Sequence, residues 1–300
     1  MVRQVWSRIV SSAALSLGLA LSMPVDLLLW TVGLPVGMAQ VPPAGEEALD
    51  RGLELIQQGQ VGAAIAAFQE AIRLNPSLAP AHYNLGLALR QTGNLQESAS
   101  AFWQAIQADP EFAMAYSNLG AALWEGGNSA QAQDYLRRAI ELQPDLGNAY
   151  YNLGLVQLTD GDVNGALVSL QRAADLTPNA PEPRFHLGRL YLRSQRYDEA
   201  VTAFEQAIAR FPQYVEAHYN LGVALYNQGK YTEALDAFRA ATAINPTYTN
   251  AYYSAGLAFV RLGYYDEARG VLEHAKNLYI TQNNPEWAAN TQAQIDRIPQ

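Results

Sequence analysis

No cysteine occurs in the 300 residues. That removes disulfides, thiolate nucleophiles and cysteine metal sites, and it is compatible with any redox compartment. Lysine is nearly missing as well: Lys230 and Lys276 are the only two, and the seventeen arginines are scattered among acids. With a formal charge of −9 and no basic stripe, the chain lacks the face that phosphate neutralisation requires, so nucleic acid is not an expected partner. Histidine is sparse, and His82, His186, His218 and His274 stand alone, with no HExxH and no closely spaced acid, so no metal site is expected. A glycine-rich phosphate loop and a nucleophile elbow are both absent. No catalytic residue, cofactor or metal ligand is therefore assigned, and the chain reads as non-enzymatic.

What the sequence has is a period. Prolines stand at Pro76, Pro110, Pro144, Pro178, Pro212 and Pro246, each 34 residues after the last. A glycine recurs at the same step as Gly52, Gly86, Gly120, Gly154, Gly188, Gly222 and Gly256. Alanines recur as Ala64, Ala132, Ala166, Ala200, Ala234 and Ala268, with Ser98 the exception. Within Val215 to Tyr248, apolar residues return every three or four positions on both sides of Gly229, which predicts two amphipathic helices joined by a short turn. Neither helix can bury its face alone, so a fixed period of this length means a stacked array.

Spacing and residue types together resemble the tetratricopeptide repeat family, whose pattern falls here on Leu221, Gly222, Leu225, Ala234, Phe238, Ala241 and Pro246. The resemblance implies an all-α fold: a right-handed α-solenoid of about seven antiparallel helix pairs, with a capping helix at the C-terminus. The units are residues 45–78, 79–112, 113–146, 147–180, 181–214, 215–248 and 249–282. The first is degenerate, with Arg51 where later units have leucine, as suits a terminal repeat with one uncovered face. Gly93, Gly127, Gly161, Gly229 and Gly263 close the first helices in a left-handed conformation. Gln195 departs from this at an expected cost of up to ~1 kcal/mol. The Gly86-type residue is expected to face the alanine-type position of the second helix and to let the two helices approach. Ile280 stands where the seventh unit would have its proline, and Asn284-Pro285-Glu286 starts a last helix lined by Trp287, Ala288, Thr291, Ile295 and Ile298 within residues 283–300.

The first forty residues differ in character. Arg3 and Arg8 precede an apolar run from Ile9 to Leu21, a second run spans Leu27 to Val36, and Gly37-Met38-Ala39 suits a cut before Gln40. Residues 1–39 therefore read as a secretory signal, with an uncleaved membrane anchor as the alternative, and residues 40–44 as a proline-bearing linker. Either way the repeats are expected on the non-cytoplasmic side, in a periplasm or lumen or secreted, with membrane association possible through residues 1–39.

The resemblance further implies that first helices line a concave groove. It would hold aromatics at Tyr83, Tyr151, Phe185, Tyr219 and Tyr253 and amides at Asn84, Asn118, Asn152 and Asn220, interrupted by Ser117, His186 and Ser254. An amide offers donor and acceptor and can grip a peptide backbone whatever its sequence; rings beside it add contact area at low entropic cost. Arg189, Arg193 and Arg261, with Arg90, Trp124 and Glu125 in earlier units, are candidates for charged contacts along the same face. Lysines that would make a clamp for a C-terminal carboxylate are not there. The expected function is a non-catalytic scaffold or adaptor that binds an extended segment or helix of a protein partner. The alternatives are a membrane-associated assembly factor for a photosynthetic or other complex, or the targeting part of a repeat-linked glycosyltransferase.

Overall fold

The computed structural model describes residues 45–299. The expected signal or anchor, residues 1–39, and nearly all of the linker lie outside the described residues. Fifteen α-helices and no strand occur among them, and all but the last form pairs. They are α1 (Glu46–Gln57) and α2 (Val61–Leu74), α3 (Ala79–Gln91) and α4 (Leu95–Ala108), α5 (Ala113–Glu125) and α6 (Ser129–Leu142), and α7 (Gly147–Thr159) and α8 (Val163–Leu176). The remainder are α9 (Glu182–Arg193) and α10 (Tyr197–Arg210), α11 (Val215–Asn227) and α12 (Tyr231–Ile244), α13 (Thr249–Arg261) and α14 (Tyr265–Thr281), and the single α15 (Pro285–Asp296). The chain forms two compact units, residues 45–178 with α1 to α8 and residues 179–299 with α9 to α15. No helix among the described residues is long and apolar enough to cross a membrane.

Proline sets the helix ends. Each of α2, α4, α6, α8, α10 and α12 stops two residues before its unit's proline. The residue between is driven out of the helical region by the proline ring that follows, as at Asn75 (φ −141°, ψ 93°) and Asp109 (φ −140°, ψ 98°). Where Ile280 replaces proline, α14 continues to 17 residues against the usual 14. The turns inside the pairs use a left-handed residue, glycine in six of them and Gln195 (φ +58°) in the remaining one.

The second helices of each compact unit carry fully buried bulky side chains, Phe68, Phe102, Leu136 and Leu170 in residues 45–178 and Phe204, Phe238 and Leu272 in residues 179–299. These side chains fill the space above the first-helix glycines. A Cβ on Gly222 would lie 2.5 Å from Phe238 Cε1, and one on Gly120 2.7 Å from Leu136 Cγ. The glycine meets the alanine-type position as expected, a Cβ on Gly120 standing 3.0 Å from the Ala132 carbonyl oxygen, and it meets in addition the bulky residue four positions further on. Ser98 makes the contact at the alanine-type position visible, since its buried hydroxyl donates to the Gly86 carbonyl at 2.7 Å.

The last helix closes the second unit. Asn284 Oδ1 accepts from the Trp287 N–H at 3.3 Å, and Ala288, Thr291 and Ile298 are buried against the preceding pair. Trp287 lies on the Tyr279 ring at 5.8 Å and meets the Tyr253 ring at 5.7 Å while remaining 43% exposed.

Candidate partner-binding face

The ring and the amide of each first helix are neighbours in sequence, yet they end in different surroundings. In residues 45–178 the Tyr83 ring sits 5.7 Å from Phe102 in its own unit and 4.9 Å from Phe112, which leads into the next first helix. The same trio recurs in residues 179–299. Phe185 meets Phe204 at 6.0 Å and Tyr214 at 4.7 Å, and Tyr219 meets Phe238 at 5.9 Å and Tyr248 at 5.4 Å. Much of each ring is therefore spent joining one helix pair to the next, at a gain of about 0.5–1.5 kcal/mol per pair beyond burial. Tyr83, Tyr151, Tyr219 and Tyr253 stay half-exposed; Phe185 is buried. Burial pushes the Tyr83 hydroxyl up to about 12, against the opposing pull of Asn118 and the Arg90 charge. Sequence reasoning did not single out Phe112, Tyr214 and Tyr248 as the third ring. Their recurrence at the 34-residue step was the available signal.

The amides turn back on their own helices. Asn84 donates to the Pro80 carbonyl at 2.8 Å, Asn118 to Met114 at 3.0 Å and Asn220 to Glu216 at 2.7 Å. Because a carbonyl only accepts, these bonds fix which end of each amide is nitrogen. Asn118 spends its second hydrogen on the Tyr83 hydroxyl at 3.1 Å, a rung to the preceding first helix. Asn152 is half-exposed and makes no such bond among the described residues. The amide oxygens of Asn84, Asn118 and Asn220 are left as acceptors.

Other charged and polar positions named from sequence form further rungs, each spanning 35 residues. Arg90 grips Glu125, its Nε donating at 3.0 Å. Trp124 Nε1 donates to Thr159 Oγ1 at 3.0 Å, and Arg261 Nε donates to the Tyr226 hydroxyl at 3.1 Å. Arg90 and Arg261 are consequently engaged within the chain and not held ready for a partner. Arg189 lies over the Phe185 ring at 5.8 Å with its head in solvent, and Arg193 is exposed. His186 packs edge-on against Phe185 at 5.4 Å, and burial, aided by the Arg189 charge, lowers its pKa to about 4, so it is neutral near pH 7. His82 and His218 each bond a unit-closing proline carbonyl at 2.9 Å, Pro76 and Pro212, which accounts for their shared repeat position. No group of three acidic or histidine side chains able to hold a metal occurs among the described residues.

Paired helices, stepped at a fixed interval and tied by aromatic trios and polar rungs, define an α-helical repeat protein of the protein-interaction class. Tetratricopeptide repeat models match residues 49–113, 117–181 and 185–249, and a further one matches residues 249–279; the chain belongs to the tetratricopeptide repeat family. Among solved structures, YrrB, described as a TPR protein with an unusual peptide-binding site, is similar at a TM-score of 0.50 and 28% identity, over 62% of this chain and 95% of that one. TTC0263, a thermophilic TPR protein of Thermus thermophilus, is similar at a TM-score of 0.51 and 26% identity, over 61% of this chain and all (100%) of that one. PilF of Pseudomonas aeruginosa shares the fold, with a TM-score of 0.62 at 19% identity, over 69% of this chain and 94% of that one. No curated protein matches this sequence.

Proposed function

We propose that this chain is a non-catalytic adaptor that holds an extended segment of a protein partner along its first helices, each compact unit presenting such a face of its own. The observation that carries this reading is the recurring half-exposed amide. Its nitrogen is anchored at Asn84, Asn118 and Asn220, so its oxygen is held in place to accept from a partner's backbone N–H. Each such bond is worth about 1 kcal/mol net, and anchoring the amide beforehand reduces the entropy lost on binding. The peptide-binding site described for YrrB lends the peptide a precedent in a related fold. A photoreactive residue placed at Asn152 or at Tyr219 is expected to trap a protein partner in the native compartment. Labelling confined to probes on the second helices would remove the reading.

The same proposal has the repeats exported, on the strength of Arg3 and Arg8, the apolar runs and the small residues at Gly37 and Ala39. N-terminal sequencing of the fractionated protein is expected to begin at Gln40. A full-length chain held in the membrane would replace cleavage by anchoring.

A further inference from the structure

The fifth repeat departs from the others along one face of its first helix. In every other unit the position of Arg189 is apolar: Leu53, Leu87, Ala121, Leu155, Val223 and Leu257, all half-buried or buried. Arg189 alone is charged and exposed there. One turn on, Arg193 is exposed as well, and His186 stands in place of the asparagine of the amide ladder. The α9 helix thus carries two solvent-facing guanidinium groups in a chain of net charge −9.

Among residues 179–299 neither arginine forms an ion pair. Arg193 stands at the repeat position of Glu125, Thr159, Asn227 and Arg261, and the Asp198 carboxylate at the start of the next helix accepts from the Gln228 amide at 2.8 Å. Glu199 is taken by Arg196 at 2.9 Å. Glu182 and Glu216 occupy the first turns of α9 and α11, at the end of each helix away from the two arginines.

We propose that Arg189 and Arg193 bind an acidic segment of the partner, taking carboxylates from alternate residues of an extended chain; this rests on the partner-binding reading above. The spacing is the reason for alternate residues. Four residues along a helix advance about 6 Å, and two residues of an extended chain advance about 6.6 Å. Side chains two apart in an extended segment also point to the same side, so both carboxylates reach the same helix face while the intervening residue turns away. Guanidinium groups suit this role because their planar fork receives a carboxylate in a bidentate manner. The Phe185 ring beneath Arg189 orients its fork at small entropic cost.

The test is fluorescence anisotropy of the full chain with three labelled heptapeptides: glutamate alternating with serine, its glutamine counterpart, and phosphoserine alternating with alanine. The glutamate peptide is expected to bind at least about tenfold more tightly than the glutamine one, with Arg189→Gln and Arg193→Gln each costing about threefold and the pair together about tenfold. The preference should fade as salt rises towards 1 M, where the Debye length falls to about 3 Å. Arg189→Leu supplies the residue type that the other repeats carry, so it preserves the fold, as checked by circular dichroism, and should cost the same threefold as Arg189→Gln. Equal binding of the glutamate and glutamine peptides, or binding of the phosphoserine peptide alone, would overturn the assignment. Crosslinking at Tyr219 separates this failure from that of the underlying reading. A partner trapped as well by the Arg189→Gln/Arg193→Gln chain as by the parent leaves the face in place and removes the arginine site.

Discussion

Gln195 holds a backbone conformation that six other turns give to glycine, at φ +58° against +73° to +85° for Gly59, Gly93, Gly127, Gly161, Gly229 and Gly263. Its side chain is exposed, so no packing offsets the clash between Cβ and backbone that this region imposes. Gln195→Gly should therefore stabilise the protein by about 0.5–1 kcal/mol, part of the relief being lost to the greater freedom of glycine in the unfolded chain. Urea denaturation measures it; an unchanged or lower midpoint would mean that the glutamine is held by something its exposure does not reveal. The strain was legible in the sequence because one column of a strict repeat contains one misfit. The fate of the asparagines was not. Whether an amide on a first helix points outward or back to the carbonyl four residues earlier is a rotamer choice, and residue type and spacing leave it open, as Asn84 and Asn152 show at the same repeat position.

Among the elements, α15 is held by a cap at its start and by one buried face. At its start, Asn284 satisfies one of the N–H groups that a helix leaves unpaired; Ala288 and Thr291 are buried along its length, and Ile298, just past its end, joins the core of α13 and α14. Asn284→Ala should cost about 1 kcal/mol, while Asn284→Asp, which restores a capping oxygen, should recover most of it. Thermal melts of the three proteins decide the matter, and equal midpoints would remove the cap from the account. Helix boundaries were readable because proline acts locally: it stops a helix two residues ahead of itself, and its absence at Ile280 lets α14 run longer. The bulky second neighbour of the Gly86-type residue was not foreseen, because periodicity gives the face of a helix but not its rotation against its neighbour. Phe238, one turn beyond Ala234, is the residue whose ring stands over Gly222. The 35-residue rungs, such as Arg90 to Glu125, were hidden for a related reason, since they depend on the offset between successive first helices.

For the whole molecule, the question is how far a local insult travels. In repeat arrays stability is close to a sum of unit terms and nearest-neighbour interfaces, so damage falls most heavily where it is made. The chain supplies its own reporters: Trp103 and Trp124 in residues 45–178, and Trp287 in residues 179–299. Gly222→Leu would drive a side chain into the fully buried Phe238 ring, where even a Cβ would stand 2.5 Å from Cε1, and overpacking of this kind costs about 1–3 kcal/mol. In variants retaining a single tryptophan, the urea transition seen by Trp287 is expected to shift by that full amount. The transition seen by Trp103 should shift by less, because residues 45–178 bury their own column of Phe68, Phe102, Leu136 and Leu170 without any contribution from Gly222 or Phe238. Equal shifts at the two reporters would mean that the chain unfolds as one cooperative body, and that interfaces between repeats outweigh the stability of the repeats themselves.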